Sequence, residues 1–213
     1  PVGRRLADRG HEVTAIVPSV SSLPPEEVTG TLRLLRVIRR GPLPLLANDL
    51  LETTRRSRGF GPFDVLLAHG SAATLGLSRA RLAAPLVLVY HASLPRELHF
   101  MRSRLPWCRE RAATYLNEPI ARTLDRAALG RCARVLVLSA YTRSLLGADH
   151  AAIVPKVRPV SGGVDSRTFT PLDGMHAART RLGVDQTHRL LVTVRRAEPR
   201  MGIEQLLGAM ALI

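Results

Sequence analysis

Residues 156–202 decide how the chain is organised. The first part, KVRPVSGGVDSRTFTP (156–171), sets the pair Gly162-Gly163 inside an extended, apolar-alternating segment, and Pro155, Pro159 and Pro171 forbid a long helix across it. That pattern writes a hinge. After a short helix comes the strand-forming run LLVTV (190–194), which ends in the basic loop RRAEPRMG (195–202). Ile203, Leu206, Leu207, Met210 and Ala211 then recur at helical spacing, so a new α/β unit opens beyond the hinge.

Upstream of the hinge, strand and helix patterns alternate. Residues 2–9 read as the tail of a helix capped by Gly10, and 11–17 alternate as a strand. Residues 19–30 read as a Ser/Pro/Glu-rich loop, and 31–38 as a short strand placed at a sheet edge because arginines interrupt it. A helix is expected over 43–58, turning Leu46, Leu50 and Leu51 inward and broken by Gly59, Gly61 and Pro62. The continuous apolar runs at 65–68 and 86–90 are those of strands buried in a parallel sheet, with a helix over 72–82 between them. An irregular, then helical, insertion is expected over 97–130. A strand at 135–138, a helix at 141–146 and a strand at 156–160 complete the first unit. The alternation predicts an α/β fold with a doubly wound, Rossmann-like parallel sheet.

Five pieces carry a resemblance: LADRGHEVTAIVPS (6–19), FDVLLAHG (63–70), PLVLVYHASLPRE (85–97), RVLVLSAYTRSLL (134–146), and SGGVDSRTFTP (161–171) with VRRAEPRMGIEQLLGAM (194–210). In their order and spacing they resemble retaining, family 4 type glycosyltransferases of the GT-B fold, over nearly the whole chain. The resemblance implies an acceptor-side Rossmann-like domain over 1–160, an interdomain linker over 161–172, and the start of a nucleotide-sugar-binding domain over 173–213. It also implies a piece truncated at both ends and inactive alone, without the glycine-rich loop that precedes it and the donor-binding carboxylates that follow.

In open parallel sheets, ligands sit beyond the carboxyl ends of the strands, which draws attention to His69-Gly70-Ser71, His91-Ala92-Ser93 and the residues from Ser139. His91 is read in two ways: as a strand-end histidine bonded to a nearby carbonyl, or, by the resemblance, as the residue that reaches the transferred sugar near the reaction centre. Glu97 is read as an acceptor contact or an exposed loop carboxylate. His69 is read as an acceptor-pocket residue or a cap of the next helix. Ser139 is first of all a natural N-cap whose helix end also offers N–H groups to an anion in the cleft.

Arg195, Arg196 and Arg200 lie between a strand run and a helix start, where guanidinium and helix-end N–H groups converge on a diphosphate. The resemblance assigns the donor diphosphate to Arg196 and to a second cation. At the family's lysine position this chain has Met201, with Arg200 one residue earlier. Asp165 is expected to cap backbone N–H groups in the hinge, and Phe169 to pack the linker against a domain.

With 213 residues and 46% hydrophobic composition, the chain has the makings of a folded core and no apolar run of membrane-spanning length. Cys108 and Cys132 are read as free thiols in a reducing, cytoplasmic setting. The formal charge is +14, and Lys156 is the only lysine. The arginines are dispersed rather than blocked, so no specific nucleic-acid partner is expected. Phe100, Met101, Leu105 and Trp107 are mixed with arginines, a pattern that fits either a loop over the cleft or peripheral contact with an anionic membrane.

Neither an Asp-x-Asp pair, a P-loop, a Gly-x-Gly-x-x-Gly fingerprint after a strand, nor a Gly-x-Ser-x-Gly elbow occurs. Kinase, nicotinamide dehydrogenase and serine hydrolase readings thereby lose their chemistry, and no metal ligand set or cofactor is expected. The reading is a transferase that moves a sugar from a nucleotide diphosphate sugar to a sugar or lipid-linked acceptor. A nucleotide-sugar epimerase of the same architecture, and a basic α/β module binding anionic membrane or nucleic acid, stand as alternatives.

Overall fold

The computed structural model describes residues 2–19, 23–37, 45–170, 174–196 and 201–212. Helix α1 (Val2–Ala7) leads into β1 (Val13–Pro18); β2 (Glu26–Thr29) and β3 (Leu32–Val37) follow, then α2 (Leu45–Ser57). Next come β4 (Leu66–His69), α3 (Ser71–Ala80), β5 (Leu86–Tyr90), α4 (Leu94–Arg104) and α5 (Arg109–Arg131). The chain continues through β6 (Arg134–Val137), α6 (Ala140–Asp149), a 3₁₀ turn, β7 (Val157–Pro159), α7 (Met175–Leu182) and α8 (Ile203–Met210).

The strands form two sheets. One has the order β1-β3-β2, and the other is parallel throughout with the order β4-β5-β6-β7. Parallel strands need crossovers, and helices α3, α5 and α6 supply them. The core lies on the second sheet: Leu88, Val135 and Val137 are fully buried there, packed with Leu129, Leu146 and Val157. Each such aliphatic side chain contributes roughly 1.5–3 kcal/mol through its removal from water.

The first sheet corrects two expectations. Residues 31–38 were assigned to an edge, yet β3 is the central strand, parallel to β1 and antiparallel to β2. Arginine is tolerated there because the Arg36 guanidinium, buried, donates to Glu27 Oε2 at 2.5 Å and to the Pro24 carbonyl at 2.9 Å. The segment expected to be wholly loop contributes β2, whose Glu26 and Glu27 pair with Arg33 and Arg36.

Helix α2 also turns differently. Leu51 is exposed and Leu50 half-buried, whereas Thr53 and Ser57 are buried. Their hydroxyl-bearing row faces α3 at close range: a Cβ on Gly76 would lie 2.7 Å from Thr53 Cβ and 2.8 Å from the Leu50 carbonyl oxygen. The Leu46 side chain lies outside the described residues. The insertion expected as irregular and then helical begins as a regular helix, α4, before the long α5.

Beyond β7 the chain packs loosely. Asp165 Oδ1 accepts from the backbone N–H of Arg167 at 3.1 Å, the local capping expected of it, and its Oδ2 pairs with Arg5 of α1 at 2.9 Å. Phe169, expected to pack the linker, is 69% exposed. The run 190–194, expected as a strand, pairs with no other described strand, and Val192 and Val194 face solvent. Cys108 and Cys132 are both free, the latter buried.

Candidate functional site

The carboxyl ends of the parallel strands form a ledge, and the sequence places polar residues along it. His69 is the last residue of β4, His91 follows the last residue of β5, and Ser139 lies two residues past β6. The register sets their relative height: His69 is level with Val89, and Tyr90 is level with Val137. After each strand the chain turns at once into a helix, so three helix N-termini share this edge.

Each turn has its own local cause. Between β4 and α3 the backbone reverses at Gly70 with φ 88, a conformation open to glycine at little cost. Thr74 Oγ1 then donates to the Gly70 carbonyl at 2.9 Å. Between β5 and α4, Ser93 is the N-cap, and Pro95 sits in the first turn, where its missing N–H is no loss. Between β6 and α6, Ser139 Oγ accepts from Thr142 N at 3.0 Å, so the capping role read from the sequence is met.

His69 and His91 come together. His69 Nδ1 lies 2.9 Å from His91 Nε2, and the rings stack with centroids 5.2 Å apart and planes 18° from parallel. At that distance one nitrogen carries a proton and the other accepts it, because two facing N–H groups would repel. Partial burial, then the charge of His91, holds the His69 imidazole below its ordinary pKa. The contact thus joins an N–H of one ring to a bare nitrogen of the other.

Ser71 and Tyr90, next to this pair in sequence, belong to a polar cluster that the sequence reading missed. Asp125, in the C-terminal half of α5, is 3% exposed. Ser71 Oγ donates to its Oδ1 at 2.5 Å, and Tyr90 Oη donates to its Oδ2 at 3.0 Å. Burial pushes the Asp125 carboxyl above its usual range, while the two hydroxyl donors pull it back. The Tyr90 phenol is raised in turn, by burial first and then by Asp125. A signal for Asp125 existed: Thr114, Glu118, Ala121, Asp125 and Ala128 are all buried and follow the alternating four-three spacing of one helix face.

Other predicted residues are placed separately. Glu97 lies half-buried in the first turn of α4, where a carboxylate favours the helix N-terminus. Its neighbour Arg96 clasps Asp149 at the end of α6 through two 2.7 Å bonds, which hold the Asp149 carboxyl below its usual range. Arg196 is exposed at the end of the extended run, and Arg195 Nη1 donates to the Met201 carbonyl at 3.2 Å. Arg200 lies outside the described residues. Among the described residues no three His, Cys, Asp or Glu side chains gather as metal ligands, and no helix is long and apolar enough to cross a membrane.

Residues 2–168 match the family described as Glycosyltransferase Family 4. No curated protein sequence matches the chain. Among solved structures, sucrose-phosphate synthase from Thermosynechococcus elongatus superposes with a TM-score of 0.75 at 18% identity. The match covers 100% of this chain and 52% of that one, so the chain spans about half the length of that protein. The shared architecture is the Rossmann-like domain of a GT-B fold.

Proposed function

The chain belongs to Glycosyltransferase Family 4, and from that membership we propose that it serves a transferase moving a sugar from a nucleotide diphosphate sugar to an acceptor, with retention of configuration. The observation that carries this reading is the ledge at the strand ends, where His69 and His91 meet at 2.9 Å beside the capped N-terminus of α6. A ligand set there meets an imidazole pair that offers one donor and one acceptor edge. It also meets the positive end of a helix dipole.

In this reading His91 contacts the transferred sugar near the reaction centre. Its bond to His69 orients the ring. His69, Glu97 and Ser139 line the acceptor side, and Arg196 with Arg200 neutralises the donor diphosphate as it leaves. Residues 173–213 open the donor-binding domain, and no metal or cofactor takes part.

The test is a mass-spectrometric screen of the complete gene product for nucleotide diphosphate release from a panel of sugar nucleotides, comparing wild type with Arg196→Ala and His91→Ala. Release from one donor that falls by about 100-fold or more in either variant supports the reading; removal of one charge-stabilising donor typically has that effect. If no donor is consumed or bound, the transferase reading fails and the basic-module alternative takes its place.

The acceptor is proposed to be lipid-linked on account of one surface. Trp107, between α4 and α5, and Leu116 and Ile120 of α5 are more than half exposed, and the Arg111, Arg102 and Arg104 guanidinium groups lie over the Trp107, Tyr115 and Phe100 rings. Apolar bodies rimmed by arginine suit an anionic bilayer surface. Co-sedimentation with phosphatidylglycerol vesicles at physiological salt, lost in Trp107→Ala/Leu116→Ala, checks this; sedimentation unchanged in that variant refutes it.

A further inference from the structure

His69 ends β4 in register with Val89, and His91 follows β5 by one residue, so the ladder sets their backbones side by side and leaves the rings to be fixed by other contacts. The candidates are the bonded groups next to them in sequence. Ser71 stands two residues after His69, at the first position of α3; Tyr90 stands one residue before His91, at the last position of β5. Both hydroxyls end on the same carboxylate, that of Asp125.

Geometry gives each oxygen one arm. Oδ1 takes the α3 arm at 2.5 Å and Oδ2 takes the β5 arm at 3.0 Å, so a planar group with two separate acceptor atoms bridges the start of α3 and the end of β5. A position in α5 that faces the sheet would be filled at least cost by an aliphatic side chain, since a buried carboxylate is expensive unless its oxygens are satisfied. Here they are, and the group is 3% exposed. Side chains that face Asp125 from other elements are Ser71, Tyr90, and Asp149 and His150 at the end of α6; Asp149 is already clasped by Arg96.

We propose that Asp125 is a positioning residue: a buried strut, tied to Ser71 and Tyr90, that sets the His69–His91 contact and thereby the orientation of His91 toward substrate. The part that concerns substrate rests on the transferase reading. The part that concerns the rings does not.

The test reads both. In the 213-residue chain, ¹⁵N side-chain shifts of the histidines at pH 8 report the ring tautomers. Wild type should show each ring as a single tautomer, with one of the two facing nitrogens protonated and the other bare. Asp125→Ala should move both rings toward averaged tautomer shifts, and Asp125→Asn should restore the wild-type pattern, its carboxamide accepting from one hydroxyl and donating to the other. Should Asp125→Ala fail to fold, the single deletions decide: Ser71→Ala should displace the His69 signals first, and Tyr90→Phe those of His91. Wild-type ring shifts in these variants overturn the strut.

In the complete gene product, Asp125→Ala should lower donor turnover by about 10- to 100-fold, the effect of a misplacement on the order of 1 Å, and Asp125→Asn should recover most of it. Undiminished turnover alongside decoupled rings overturns the catalytic part of the proposal. Decoupled rings in a protein that consumes no donor leave the strut supported and sink the transferase reading instead.

Discussion

Replacing Gly76 by alanine sets two effects of opposite sign against each other. In a helix interior alanine is favoured over glycine by about 1 kcal/mol, so propensity alone predicts a more stable protein. Against that, the added methyl would meet Thr53 Cβ at 2.7 Å, the Leu50 carbonyl oxygen at 2.8 Å and Thr53 Cγ2 at 3.1 Å. The nearest two atoms are a Cβ and a backbone oxygen, so no rotamer change relieves them and α2 must move away from α3. Overpacking of this kind costs typically 1–3 kcal/mol, and here it belongs near the upper end. The net expectation is a loss of about 1–2 kcal/mol, or a Tm lower by about 2–8 °C at this chain length.

Thermal and urea unfolding followed by circular dichroism measure this, with an unchanged m-value confirming that stability itself has shifted. The double variant Gly76→Ala/Thr53→Ala should recover little, because it removes only the 3.1 Å contact and leaves the two shorter ones. A Gly76→Ala protein as stable as wild type, or more so, would refute the close approach of α2 and α3. The separation that the methyl forces should also reach the ledge, since α3 begins at Ser71.

Two further perturbations follow from the charges and thiols. Asp149, held below its ordinary pKa chiefly by Arg96, contributes stability that is present above the unfolded carboxylate value and is lost as pH falls through the folded one. The difference in urea midpoint between wild type and Arg96→Ala should therefore be constant from pH 7 to 5 and vanish toward pH 2; a gap that persists at pH 2 contradicts the assignment. Burial pushes the Cys132 thiol up to about 11, so iodoacetamide at pH 8 should label Cys108 in the native protein and spare Cys132 until denaturant is added. Equal labelling of both would contradict the buried placement.

What the sequence made legible was the part governed by continuous apolar runs. The run 86–90 is β5 to the residue, because a strand buried on both faces leaves little choice of side chain. The Ser139 cap was equally readable, its hydroxyl standing between a strand and a helix. The errors came where a charge is satisfied by a distant partner. Arg36 suggests an edge until Glu27 and Pro24, earlier in the chain, are seen to take its donors. Likewise Asp125 looks like one more acid on a charged helix, and only the fold reveals that Ser71 and Tyr90, remote in sequence, end on it. Residues 190–194 have strand propensity without a described partner strand, and propensity alone pairs with nothing.

The division of the strands into two ladders also bears on how the molecule opens and folds. In the parallel sheet every strand bonds to the next one along the chain, so each pairing closes only one or two helices and their turns, and loop-closure entropy is met in small steps. Among the described residues the two sheets share no strand. Native-state hydrogen exchange should therefore resolve two cooperative units: β5 and β6, flanked on both sides, open only with the whole parallel sheet, while β1, β2 and β3 open together at their own, separate free energy.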